Sequence, residues 1–119
     1  MDLKINGKDY QLQFGLKFIN HLDNIYTQEV DKVKFGMGVE MMTSYLAMRN
    51  PLVLMNIIKA GTSHLNSKPS NNDIESLLEE HANGGTLEKL FKDVSEAMEN
   101  APFLKNKMKR AKQEAKKNQ

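Results

Sequence analysis

The sequence predicts an α+β protein that is mainly α: an N-terminal β-hairpin followed by about five helices, the last one basic and prone to fraying. Three observations carry this expectation. Apolar and polar residues alternate over the first fourteen positions, around an Asn6-Gly7 pair. From Leu16 the apolar period lengthens to that of a helix. Helix-boundary residues such as Asn50-Pro51 and Asn83-Gly84-Gly85 then punctuate the chain.

A chain of 119 residues, 39% hydrophobic and 27% charged, has the composition of one ordinary globular domain. It contains no cysteine, which excludes a disulfide scaffold, a thiolate metal site and a cysteine nucleophile. The start, Met1 to Gly7, lacks the basic residues and apolar run of a signal peptide. The longest nearly apolar stretch, Leu52 to Ile58, is interrupted by Asn56 and falls short of the roughly 20 residues of a membrane span. A soluble intracellular protein with no membrane contact is expected.

In the opening hairpin, Leu3 and Ile5 alternate with Asp2, Lys4 and Asn6, and Tyr10, Leu12 and Phe14 alternate with Asp9, Gln11 and Gln13. Asn-Gly tolerates the positive φ angles of a tight turn. Two strands alone are marginal in water, so their apolar face must pack on the helices that follow. From Leu16 to Tyr26, one half of a helix carries Leu16, Phe18, Ile19, Leu22, Ile25 and Tyr26. Residues 27–34 mix charges with valine and predict a polar connection or a weak helical turn. A further helix is expected from about Gly38 to Met48. Asn50 is then a good N-cap and Pro51 suits the first helical position, where an N–H would be unpaired anyway. The segment from Leu52 to Ile58 is apolar nearly all round and should form the most buried helix. After a polar loop from Thr62 to Asn71, Asn72 opens the next helix, with Glu75 in the place of a capping-box acid. Gly84 and Gly85 stop it. Thr86 caps a helix with the stripe Leu87, Leu90, Phe91, Val94 and Met98, and Pro102 opens the last, with Leu104, Met108, Ala111 and Ala115.

Catalytic patterns are missing. His21, His64 and His81 share no metal-ligand spacing. Glu79 and Glu80 are neighbours that diverge on a helix, while Glu88–Lys92 and Lys89–Asp93 read as solvated i,i+4 pairs. The glycine pairs have no phosphate-loop context, and no serine sits in a nucleophile elbow. Neither an enzyme nor a cofactor is expected.

Two features stand out instead. Five of the eight methionines, Met37, Met41, Met42, Met48 and Met55, fall within nineteen residues. Thioether side chains adapt to irregular apolar partners, so Met37, Met41, Met42 and Met48 are candidates for client binding, with core packing expected for about half of them. The charge is also uneven. The net +2 divides into −4 over residues 1–102, with ten bases and fourteen acids, and +6 over 103–119, with seven bases and one acid. The sequence therefore divides into a hairpin-plus-helical domain, 1–102, and a basic helical tail, 103–119. Lys105, Lys107, Lys109, Arg110 and Lys112 are candidate contacts to an acidic partner, including a second copy of this chain. A nucleic-acid-binding regulator is the alternative, since such a tail attracts phosphates. It has no aromatic after Phe103 to stack on bases, which weighs against nucleic acid.

The order of features resembles the tail assembly chaperones of long-tailed bacteriophages infecting Gram-positive bacteria. The resemblance rests on the hairpin from Ile5 to Phe14, the segment Gly15-Leu16-Lys17-Phe18-Ile19-Asn20-His21-Leu22-Asp23, the apolar middle from Pro51 to Ala60, the acidic helix from Asp73 to Glu80 and the Lys-rich end. It runs over about residues 3 to 112. It implies a non-enzymatic protein of the host cytoplasm that binds the tape measure protein, helps recruit the major tail protein and stays out of the virion. It also implies a longer product made by programmed frameshift in many members, which an A-rich coding sequence at Lys116-Lys117-Asn118 would suit. Self-association fits a protein that coats a long chain. The resemblance carries over no position-by-position binding residues.

Overall fold

The computed structural model describes residues 1–117, with side chains through Glu114. In chain order it contains β1 (Asp2–Ile5), β2 (Lys8–Gln11), α1 (Leu16–Ile25), β3 (Thr27–Val30), β4 (Val33–Gly36), α2 (Gly38–Ala47), α3 (Pro51–Gly61), α4 (Asn71–Asn83), α5 (Leu87–Glu99) and α6 (Lys105–Lys117). The architecture is α+β and mainly α, with six helices and two antiparallel hairpins among the described residues.

The first hairpin forms as its alternation predicts. Leu3 pairs with Tyr10 and Ile5 with Lys8, and the turn uses positive φ at Asn6 (50°) and Gly7 (76°). Ile5, Tyr10 and Leu12 turn inward and form a small core with Ile58 of α3 and Ile74 of α4. The chain leaves the hairpin by donating from Gln13 N–H to the Gly61 carbonyl at 2.9 Å. A glycine is needed there: a Cβ on Gly61 would lie 2.9 Å from Leu12 Cγ.

The second hairpin corrects an expectation, because residues 27–34 are neither a polar connection nor a helical turn. Gln28 pairs with Phe35 and Val30 with Val33, which puts these four on one face; Glu29 and Lys34 pair on the other. The turn has no glycine, and Asp31 and Lys32 themselves take left-handed φ values of 51° and 67°. The base is clamped to α1. Met37 N–H donates to the Tyr26 carbonyl, and Gly38 N–H donates to Asp23 Oδ1, both at 2.8 Å. Every residue of both strands is exposed. Tertiary anchoring at the base thus builds a ribbon that local turn chemistry does not announce.

The main core joins the helices. Phe18 and Leu22 of α1 meet Val39, Met42 and Leu46 of α2, Leu54 and Ile57 of α3, and Leu90, Phe91, Val94 and Met98 of α5. Leu16 and Ile25, expected on the apolar half of α1, are 65% and 40% exposed, so the buried stripe is narrower than that half. α3 is buried along most of its length, and Asn50 caps it by accepting from Leu52 N–H at 3.0 Å. α4 begins earlier than expected: Ser70 is the N-cap, accepting from Asp73 N–H at 3.0 Å, in place of Asn72. Thr86 is the N-cap of α5, but its hydroxyl engages His81 and not the first turn of the helix.

The basic helix is seated on the bundle. Leu104, just before α6, is fully buried and Met108 nearly so, and both belong to the main core beside α2 and α5. Lys107 pairs with Glu40 of α2 at 3.2 Å, and Lys112 pairs with Glu99 of α5. A helix with one apolar stripe buries that stripe and turns its charges out, so a run of lysines is compatible with docking. The side chains from Ala115 on, with Lys116 and Lys117, and the residues Asn118 and Gln119 lie outside this description.

Candidate functional site

The four methionines picked from the sequence part company in the structure. Met42 is fully buried in the main core, because it lies on the α2 stripe with Val39 and Leu46. It is a packing residue and offers no surface to a client. Met37 and Met41 are half-buried. Met48, at the C-cap of α2, is 65% exposed and is the one of the four with most of its side chain in solvent.

A groove of about 430 Å³ lies between α2, α5 and α6, and of the basic side chains of α6 only Lys112 lines it. Leu46 and Met108 contribute its apolar wall, and Arg49, Glu96 and Lys112 line its rim. Lys105, Lys109 and Arg110 are exposed, and among the described residues none of the three enters an ion pair. Lys107 and Lys112 are held by Glu40 and Glu99. The tail's five candidate cations therefore divide into two that brace the helix and three that remain available to a partner.

Arg49 organises one end of this groove, and sequence reasoning did not single it out. Its backbone is left-handed, with φ of 56°, in the turn between α2 and α3. Its guanidinium donates to both carboxylate oxygens of Glu88 at 3.0 Å and to the Leu46 carbonyl at 2.7 Å, and it lies 5.5 Å from the centre of the Phe91 ring. These hydrogen bonds hold the Glu88 carboxyl below its ordinary pKa. Glu88 is thus engaged with Arg49, 39 positions away, and not with Lys92 as its spacing predicts; the Lys89–Asp93 pair forms at 2.7 Å. No local periodicity announces a contact of that separation.

The histidines are dispersed. His81 Nδ1 is 2.8 Å from Thr86 Oγ1. His21 is half-buried, and burial, with Lys59 nearby, pushes its pKa down. Among the described residues, no group of three His, Asp or Glu could hold a metal ion, and no helix is long and apolar enough to cross a membrane.

The described residues form a grooved helical bundle with a basic helix and exposed apolar side chains. The family model for the phage tail assembly chaperone protein, TAC, matches residues 2–113. The chain belongs to that family. The match covers both hairpins and α1 through α5, and reaches Gln113 in α6. No curated protein and no solved structure matches the chain. The chaperone family's description names assembly and no reaction. The surface that sequence reasoning missed altogether is the β3–β4 ribbon, whose Val30, Val33 and Phe35 are each about half exposed. Its period-two spacing holds only within each short strand, Gln28/Val30 and Val33/Phe35, and breaks across Asp31-Lys32, with no glycine to mark the turn.

Proposed function

We propose that this tail assembly chaperone binds the tape measure protein, keeps that long apolar chain soluble and helps recruit the major tail protein around it. It does so in the host cytoplasm and does not remain in the virion. The family match over residues 2–113 carries this reading. The groove between α2, α5 and α6 supports it, since apolar walls with a charged rim suit an amphipathic helix. Met48, Lys105, Lys109 and Arg110 are the proposed contacts, with Met37 and Met41 at the margin. The basic region 103–119 serves the same partners, and a frameshifted longer product would extend from it.

The test is co-expression of the protein with the tape measure protein of the same phage. Soluble tape measure protein that co-purifies with the chaperone supports the reading. Tape measure protein that stays insoluble, or that never co-purifies, overturns it. A regulator that binds nucleic acid would behave differently. Its affinity would fall steeply with salt and be lost on reversing Lys105, Lys109 and Arg110 to Glu. Charge reversal is the sound variant here, because deleting residues 103–119 would also remove Leu104 and Met108 from the core.

A further inference from the structure

Two hollows adjoin at the C-terminal end of α3, and Ser63 lines both. The first, of about 290 Å³, is bordered by Leu16 and Phe103, which are 65% and 56% exposed, and by the buried Phe18 and Ala60. The second, of about 250 Å³, is lined by His21, Lys59 and Lys68. Lys17 borders the first hollow and His21 the second. These two residues lie one turn apart on the same face of α1, which spaces the hollows by about 6 Å along that helix.

This end of the bundle is basic and holds no carboxylate. Neither hollow is lined by Asp or Glu, and the segments that build them, 10–22, 41–72 and 100–113, contain none. Four acids that flank those segments are engaged elsewhere: Asp23 with Gly38 N–H, Asp73 with Asn6, Glu40 with Lys107 and Glu99 with Lys112. Among the described residues Lys17, Lys59 and Lys68 enter no ion pair, although Lys59 is half-buried. Thr62 and Ser63 spend their hydroxyl protons on the Ile58 and Ala60 carbonyls, at 2.8 and 2.7 Å. The lysines are therefore the donors left for a ligand, and a carboxylate beside Lys59 would offset the cost of its burial.

We propose that this end of the bundle docks an acidic amphipathic helix of another protein, with apolar side chains in the Leu16–Phe103 hollow and carboxylates on Lys59 and Lys68. An apolar residue followed by an acid at i+4 matches hollows one turn apart. Apolar side chains leave water in the first hollow, and opposite charges fix the register at the second. Nucleic acid fits less well, since its phosphates have no use for an apolar hollow and Phe103 is the one exposed aromatic beside it to stack on a base. The groove at the other end of α3 selects against the same helix: Leu52, Met55 and Leu78 line it, but Glu75 and Glu79 stand on its rim. The inference does not depend on the tape measure reading, whose groove lies between α2, α5 and α6.

Calorimetry and NMR on the full-length protein test it, with a synthetic helical peptide of about 15 residues that carries Leu and Phe on one face and Glu along its flank. Binding is expected with Kd below about 1 mM, with the amide shifts concentrated at Leu16, Lys17, Ser63, His64 and Lys68. His21, whose pKa is lowered by burial and by Lys59, should titrate at higher pH in the complex, because bound carboxylates offset the Lys59 charge. The same peptide with Lys for every Glu, or with Ser for every Leu and Phe, should bind at least about tenfold more weakly. K17E/K68E and F103S should each weaken the Glu peptide to a similar degree, and all three side chains are exposed, so the core is spared. Circular dichroism checks that the variants fold, and should either fail to, the wild-type comparison of the three peptides decides. No binding, shifts confined to another surface, or equal affinity for the Glu and Lys peptides overturns the proposal. So does a single-stranded oligonucleotide that outcompetes the Glu peptide at this surface, or a second copy of the chain that excludes it there.

Discussion

Met108→Ala isolates the question of whether the basic helix belongs to the folded domain. Met108 is 1% exposed and shares the main core with Leu104, Met42 and Met98. Truncating a fully buried methionine removes its transfer free energy and leaves a cavity that closes incompletely, a loss of about 2–5 kcal/mol. A domain of this size is stabilised by about 5–15 kcal/mol in total, so the variant should lose a large share of its stability. At the midpoint, a loss of about 3 kcal/mol lowers Tm by roughly 10–15 °C for a chain of this length. Lys109→Ala supplies the control: it lies on the same helix, is exposed, and should change stability by less than about 0.5 kcal/mol. Urea unfolding followed by circular dichroism measures both. If Met108→Ala and Lys109→Ala unfold at the same urea concentration, α6 is a solvated arm and its packing on α2 and α5 is refuted.

Gly38→Ala should destabilise by about 1–3 kcal/mol, although alanine is the better helix former, because its Cβ would fall 2.6 Å from Leu22 Cβ and 2.8 Å from the Asp23 nitrogen. A raised urea midpoint would show that α1 and α2 are not so close. Tyr26→Phe deprives Asn56 Nδ2 of an acceptor at 2.8 Å and should cost about 1–3 kcal/mol in thermal unfolding, whereas an unchanged Tm would mean that this bond is immaterial. His21 has its pKa lowered by burial first and by Lys59 second, so the unfolded chain takes up its proton before the folded one. Its contribution to stability is intact above the unfolded value near 6.5 and is lost as pH falls from there through the folded value. His21→Gln should therefore flatten the stability profile between about pH 7 and pH 5; an equally steep profile would assign that loss to other groups.

The elements that were legible in the sequence are those with strong local chemistry. Asn6-Gly7 between two alternating strands specifies the first hairpin, and Asn50-Pro51 specifies the start of α3. The β3–β4 ribbon was not legible, because Asp31-Lys32 is not a turn pair that favours positive φ. Its position depends on Asp23 and Tyr26, which accept hydrogen bonds across the α1–β3 corner. The candidate surfaces were legible by type but not by member. Met42 and Met48 are both methionines of one helical segment, and only packing makes the first a core residue and the second a surface one.

By itself the sequence determined the α+β, mainly α class, the family resemblance and the uneven distribution of charge. All of these are carried by periodicity, capping residues and composition, which act over a few positions. Tertiary structure alone decided that the basic helix docks on α2 and α5, that Arg49 holds Glu88, and that apolar patches stay open at both ends of α3. Burial is a property of what lies opposite a side chain, and what lies opposite is set by residues far away in the chain. The net +2 of the whole sequence conceals a division into −4 over residues 1–102 and +6 over 103–119, and the fold pairs two of the tail's cations, Lys107 and Lys112, with Glu40 and Glu99.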